Sequence, residues 1–222
     1  MLNFKNIDKS YNNGGVENIV LDDINISLRK EDITLIIGKS GVGKSTLLNI
    51  IGCLLRPSRG YIDTENSMID LSTDDTEKFR IENFSYVFQN YNLLPEFTIH
   101  ENLLIPSYIN KLDVRKTEKR ISNLLDYMKL THLKNTYPNL ISQGEKQRIA
   151  ILRALLGKQK IILADEPTGN LDEINTKIIL DLIVKINKDL NYTFIIASHD
   201  NNFIKISNNI YTIENKKLKK NE

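Results

Sequence analysis

Four short runs of the chain are apolar at nearly every position: 33–37 (Ile-Thr-Leu-Ile-Ile), 84–88 (Phe-Ser-Tyr-Val-Phe), 161–164 (Ile-Ile-Leu-Ala) and 193–197 (Thr-Phe-Ile-Ile-Ala). A strand reads this way when both faces of its sheet are covered. Between these runs the period changes. Ile121, Leu124, Leu125 and Met128 fall at i, i+3, i+4 and i+7, and Ile174, Ile178, Leu182 and Ile186 recur every four residues, so both stretches predict helices with one apolar face. Apolar strands alternating with amphipathic helices predict an α/β fold, with a mostly parallel sheet under helices. The segment 2–28 alternates more loosely, ends in Ile24, Ile26 and Leu28, and predicts antiparallel strands beside that sheet.

Glycine placement divides the chain further. None occurs between Gly60 and Gly144. That interval predicts a mostly helical lobe over about 91–155, inserted between two parts of one α/β core at about 1–90 and 156–222. A length of 222 residues holds one large domain, or one domain with an insertion, and excludes a fusion of membrane and motor parts. Lys+Arg 30 against Asp+Glu 28 gives a net charge of +2, without the basic excess of a nucleic-acid binder, and none is expected. Cys53 is the single cysteine, so no internal disulfide forms; with only His100, His132 and His199 beside it, a structural zinc site is not expected. His100 and His132 read as structural, and Cys53 reads as core inside an apolar helix. The N-terminus has no signal-like apolar segment, and no apolar run approaches the ~18 residues of a membrane span. The chain reads as soluble and cytoplasmic, with the basic end Lys216–Lys220 solvated.

Gly38-Lys39-Ser40-Gly41-Val42-Gly43-Lys44-Ser45 fits G-x-x-x-x-G-K-[ST] in full, between an apolar strand and a helical run that starts at Thr46. Phosphate binding needs this arrangement. Glycines let the backbone fold into a nest whose N–H groups point at an anion, and the following helix adds unpaired donors. Lys44 places a full charge on the β- and γ-phosphates, and the Ser45 hydroxyl can ligate Mg²⁺. A second signal is Ile161-Ile162-Leu163-Ala164-Asp165-Glu166. The strand carries Asp165 to its C-terminal end, where open α/β sheets place ligands. Asp165 can hold the magnesium shell, and Glu166 can orient and deprotonate an attacking water. Asn110-Lys111-Leu112-Asp113 has the N-K-x-D form of a guanine reader. No D-x-x-G stands between Ser45 and residue 110, so a polar turn between helices is the reading here.

With these motifs in order, the chain resembles the nucleotide-binding domain of ATP-binding cassette (ABC) transporters from about residue 2 to residue 215. The resemblance implies a P-loop NTPase core, an N-terminal antiparallel β subdomain and an inserted helical subdomain. It implies MgATP as ligand, with Gly38–Thr46 around the phosphates. Tyr11 stands where the family stacks an aromatic on adenine. Gln89 matches the Q-loop glutamine, a third magnesium contact. Asp172, in Gly169-Asn170-Leu171-Asp172, matches the D-loop, and His199 the switch histidine, which joins Glu166 and Lys44 as catalytic. Ile141-Ser142-Gln143-Gly144-Glu145 matches the signature usually written L-S-G-G-Q. Ser142 and Gly144, the groups that in the family reach the partner's γ-phosphate, are kept. Gln143 replaces a glycine, and its Cβ opposes a positive φ, so an altered local backbone is expected there.

The resemblance further implies a head-to-tail dimer of two such cassettes and a membrane permease that holds the chain at the cytoplasmic face. Asn92–Pro106 and an extended loop Asn12–Asn18 are similar to the lipoprotein-releasing, macrolide-exporting and cell-division groups. Tyr91, Leu94, Phe97 and Tyr108 read as exposed and 91–110 as the permease contact, with internal packing of the helical lobe as the other reading of each residue. Two other readings stay open at this point. One is a soluble ABC ATPase outside transport, which lacks here the coiled coil, second cassette or zinc cysteines of its known kinds. The other is a non-hydrolysing nucleotide sensor, motivated by Gln143.

Overall fold

The computed structural model describes residues 1–64 and 67–221. In chain order the elements are β1 (Leu2–Asn13), β2 (Val16–Leu28), β3 (Ile33–Ile37), α1 (Lys44–Ile51), β4 (Arg59–Asp63), β5 (Met68–Asp70), α2 (Glu77–Asn83) and β6 (Phe84–Val87). Then come α3 (Ile99–Ile109), α4 (Val114–Tyr127), α5 (Gln143–Leu155), β7 (Ile161–Asp165), α6 (Glu173–Leu190), β8 (Thr193–Ala197), β9 (Asn209–Glu214) and β10 (Lys217–Lys220).

The four apolar runs become β3, β6, β7 and β8 of one sheet, in the order β10-β9-β3-β8-β7-β6. All its pairings are parallel except the terminal β9–β10 hairpin. The two faces of β3 serve two cores, because successive side chains point opposite ways. Leu35 belongs to the core shared by α3, α4, α5 and α6, while Ile36 belongs to the core shared by α1 and the second sheet. That second sheet is antiparallel, in the order β2-β1-β4-β5. Parallel strands place their C-terminal ends on one edge. The loops after β3, β6, β7 and β8 therefore open side by side, and every strong sequence motif outside the signature lies in one of them.

Several expectations are corrected. Asn12–Asn18 is no extended loop but the tip of the β1–β2 hairpin, paired from Tyr11↔Asn18 to Asn13↔Val16 around Gly14 and Gly15 at φ 62 and 89. Positive φ at both turn residues matches the right-handed twist of the flanking strands. Cys53 lies beyond the end of α1, in the left-handed region at φ 55, and is only half-buried. In α6 the four-residue stripe holds only in its second half: Leu182 and Ile186 are buried with Ile179 and Ile183, but Ile174 is 76% exposed. Tyr91 is half-buried against the core, whereas Leu94, Phe97 and Tyr108 are exposed. His132 is exposed and not structural.

Asn110–Asp113 is a turn between helices: Asn110 caps the end of α3 and Asp113 caps α4 by accepting from Lys116 N.

Candidate active site

Between β3 and α1 the loop 38–43 turns through Gly41 at φ 76 and Gly43 at φ 112. A side chain there is strained, which is why the loop needs glycine. Gly43 also lies against Val20 and Leu21 of β2, so the antiparallel sheet supports the loop from below. Lys44 opens α1 and is buried; its ammonium donates to Gly38 O at 3.0 Å and Lys39 O at 3.2 Å, so it spans the loop. Val42 packs with the core under β3 and is no part of the cleft surface.

At the end of β7, Asp165 accepts the Ser45 hydroxyl at 3.0 Å. Burial pushes its carboxyl above the ordinary range; the Ser45 bond opposes this, Glu166 adds to it and Lys44 opposes it. Glu166 sits in the left-handed region at φ 44, unusual for a residue with a Cβ and a mark of functional sites. Its amide donates to Ala197 O, tying the turn to β8. One carboxylate oxygen, Oε2, accepts from the Ser198 hydroxyl at 3.0 Å and from His199 N at 3.3 Å, and lies 2.9 Å from His199 Nδ1. The other, Oε1, is 3.6 Å from Lys44 Nζ, both side chains being nearly buried.

These groups enclose a cleft of about 510 Å³ lined by Ser40, Gly41, Gly43, Lys44, Ser45, Thr46, Gln89, Glu166 and His199. A wider groove of about 910 Å³ opens on the other side of His199, along α6 and the turn 201–206. It contains nothing of the phosphate loop, so the smaller cleft is the nucleotide candidate. Among the described residues no cluster of three or more His, Cys, Asp or Glu forms an all-protein metal cage. Ser45, Asp165 and Gln89 instead make the sparse oxygen set that suits Mg²⁺ shared with phosphates. Two adjacent carboxylates, the part-buried Asp165 and the nearly buried Glu166, also favour a cation there.

The remaining sequence candidates lie elsewhere. Tyr11 is 40% exposed on β1, under the Lys9 ammonium, and does not line the cleft. Asp172 caps α6, accepting from Asn175 N at 2.8 Å and Asn175 Nδ2 at 2.9 Å. Ser142 caps α5, with Glu145 closing a capping box. Gln143 is the first residue of that helix and has no positive φ, so its Cβ meets no backbone strain there. Gly144 is the glycine the packing needs: a Cβ there would run into the Asn175 side chain. The sequence reading missed Ser198, fully buried on Glu166, and Asn175, which joins the first turns of α5 and α6.

The family model described as ABC transporter matches residues 21–169. The chain is 39% identical over 218 residues to the lipoprotein-releasing system ATP-binding protein LolD of Buchnera aphidicola subsp. Schizaphis graminum, covering 98% of this chain and 95% of that one. It is 34% identical over 227 residues to the uncharacterized ABC transporter ATP-binding protein MJ0796 of Methanocaldococcus jannaschii, covering 100% and 97%. Among solved structures, the dimeric post-hydrolysis state of the MJ0796 cassette bound to ADP and Pi aligns with a TM-score of 0.87 at 33% identity, over 100% of this chain and 98% of that one.

Proposed function

This chain belongs to the ABC transporter family and is an ATPase, and from that premise we propose that it is the MgATP-driven motor of a separate permease, paired head-to-tail with a second cassette. One observation carries the chemistry. Glu166, at the end of β7 beside the phosphate loop, is held by Ser198 and His199 with its second oxygen towards Lys44. A carboxylate fixed on one side and facing the phosphate site on the other is placed to take a proton from water. Water attacks the γ-phosphorus, the bond to the β,γ-bridging oxygen breaks, the water proton passes to Glu166, and ADP and phosphate result. Lys44 and the N–H groups of 38–46 bear the developing charge. Ser45, Asp165 and Gln89 would hold Mg²⁺, which would neutralise phosphate charge. Tyr11 stacks on adenine.

A lone phosphate loop leaves one side of the γ-phosphate to water. In the proposed dimer that side meets Ser142, Gly144 and the N-terminus of α5 from the partner, whose dipole favours an anion, with Asp172 at the same interface. The dimeric solved structures of the MJ0796 cassette support the pairing of two such chains. The permease docks on 91–110. A shallow groove of about 240 Å³ supports this, with Ile105, Pro106 and Ile109 of α3 facing Tyr86 and Phe88, next to the exposed Leu94, Phe97 and Tyr108. No described helix is long and apolar enough to cross a membrane; attachment to the cytoplasmic face through the permease is part of the same proposal. The lipoprotein-releasing relatives favour export or extraction as the work done.

The test is Glu166→Gln. Turnover is expected to fall by roughly 10²–10⁴, as for loss of a general base, with ATP binding kept and an ATP-bound dimer accumulating. Turnover within tenfold of the parent removes Glu166 from the mechanism. Crosslinking from 91–110 that never reaches a co-expressed permease removes the docking assignment.

A further inference from the structure

We infer that Glu145 is a positioning residue that latches the signature serine in the lone chain, so that closure on ATP begins by breaking the Ser142–Glu145 hydrogen bond. This rests on the reading that Ser142 meets the partner's nucleotide.

The first turn of α5 is closed on itself. The Ser142 hydroxyl lies 2.8 Å from Glu145 Oε2, Ser142 N donates to the same oxygen at 2.8 Å, and Glu145 N donates to Ser142 Oγ at 3.3 Å. The bond from Ser142 N, opposed in part by burial, holds the Glu145 carboxyl below its ordinary range. An ionised carboxylate only accepts, so the hydroxyl must be the donor. Its single proton is therefore committed to Glu145, and what Ser142 shows outward is a lone pair. The positive end of α5, the natural seat for an anion, already holds one belonging to the chain. A phosphate arriving from a partner meets a lone pair and a like charge. For Ser142 to donate to it, the hydroxyl must rotate about Cβ–Oγ and give up the carboxylate. His132 Nε2 lies 4.0 Å from the free oxygen, Oε1, on the outer side of the latch.

Glutamine at 145 keeps an amide oxygen for Ser142 N, and hence the helix cap, but removes the charge and weakens the hold on the hydroxyl. A head-to-tail dimer opens two such latches. The experiment uses the full chain carrying Glu166→Gln, with sedimentation of a protein concentration series in MgATP. Adding Glu145→Gln is expected to lower the dimer dissociation constant by about tenfold, a charged hydrogen bond discounted for its solvent exposure. The thermal midpoint of the ATP-free monomer should stay within about 2 °C, since the cap survives, at roughly 2–4 °C per kcal/mol. In a Ser142→Ala background the gain should shrink by at least half, because the hydroxyl through which the latch works is gone. An unchanged or weaker dimer with normal monomer stability overturns the inference while leaving the motor reading intact. No ATP-driven pairing in any of these proteins overturns the motor reading, and the inference with it.

Discussion

Gly52, the residue that ends α1, lies against the phenol of Tyr86 on β6. Its φ of −83 and ψ of 9 are open to alanine, so backbone conformation favours Gly52→Ala by about 0.4–1 kcal/mol through the unfolded chain. Space opposes it. A Cβ would overlap the Tyr86 hydroxyl and ring and a Leu163 methyl group, all inside the core between α1 and the sheet. Overpacking a well-filled core costs about 1–3 kcal/mol; with two neighbours struck the upper end applies. The net loss is about 2 kcal/mol, or a fall of about 4–8 °C in melting midpoint for a chain of this size. Tyr86 supplies the control. Its hydroxyl is buried with no hydrogen-bond partner among the described residues, and burial raises its pKa. Tyr86→Phe removes a group whose desolvation costs about 1–3 kcal/mol, so stability should rise by about 1 kcal/mol once lost contacts are subtracted. The double variant should recover about half the Gly52→Ala loss, because the oxygen is gone while the ring carbon stays. The chain has no tryptophan, so urea unfolding followed by far-UV circular dichroism is the assay. Gly52→Ala within 0.5 kcal/mol of the parent, on the scale of ordinary surface changes, or Tyr86→Phe losing more than about 1 kcal/mol, the worth of a made hydrogen bond, refutes the reasoning.

Burial pushes the Cys53 thiol from its ordinary 9.0 up to about 11. Since the fold favours the neutral form, its reaction with iodoacetamide at pH 8 should run about a hundredfold slower than that of the unfolded chain, and recover as pH rises towards 11; rapid native labelling at pH 8 contradicts this. Burial lowers the Arg153 guanidinium to about 10, still charged at neutral pH, and its fork donates to Asn92 O at 2.6 Å and Tyr91 O at 2.8 Å in the turn after Gln89. Arg153→Met leaves both carbonyls without donors and should cost about 2–3 kcal/mol, with kcat falling more than the KM for ATP changes; a normal kcat with Gln89 intact denies the tie between α5 and that turn.

The strands were legible because parallel sheet buries both faces and so writes itself as unbroken apolar runs. The phosphate loop and Asp165–Glu166 were legible because their chemistry fixes residue type and spacing. What failed did so for geometric reasons. A strict four-residue stripe advances 400° per step on an α-helix and so drifts by about 40° each time; from Ile174 to Ile186 it rotates off the core, which is why Ile174 faces out. Asn12–Asn18 read as a loop because its residues are polar on both faces, although Gly14-Gly15 supplies a tight turn. Ser198 had no signal beyond standing before His199, since its contact with Glu166 spans 32 residues of chain. Glu145 read as a replaced glutamine, and only the closed capping box shows what the change adds.

The two halves of the proposed composite site share a resting state. Lys44, whose proposed role is to meet phosphate, rests 3.6 Å from Glu166. Ser142, whose proposed role is to meet phosphate from the other side, rests on Glu145. Lys44 and Ser142 of the lone chain are thus each engaged by one of the chain's own carboxylates, and nucleotide binding would exchange one anion for another. The exchange at Lys44 is productive: a phosphate that takes the lysine leaves Glu166 held by Ser198 and His199 alone, with Oε1 free for water. The exchange at Ser142 is only a cost, offset when the partner's phosphate closes the interface. Glu166→Gln should therefore strengthen ATP binding to the monomer by a few-fold, since the gross attraction at 3.6 Å is about 4–5 kcal/mol at an effective dielectric near 20 and mostly cancels against desolvation. Glu145→Gln should leave that monomer affinity unchanged and act on pairing alone. Equilibrium binding of a fluorescent ATP analogue below the pairing concentration separates the two; a monomer affinity that moves with residue 145 and not with residue 166 would invert the assignment of the carboxylates.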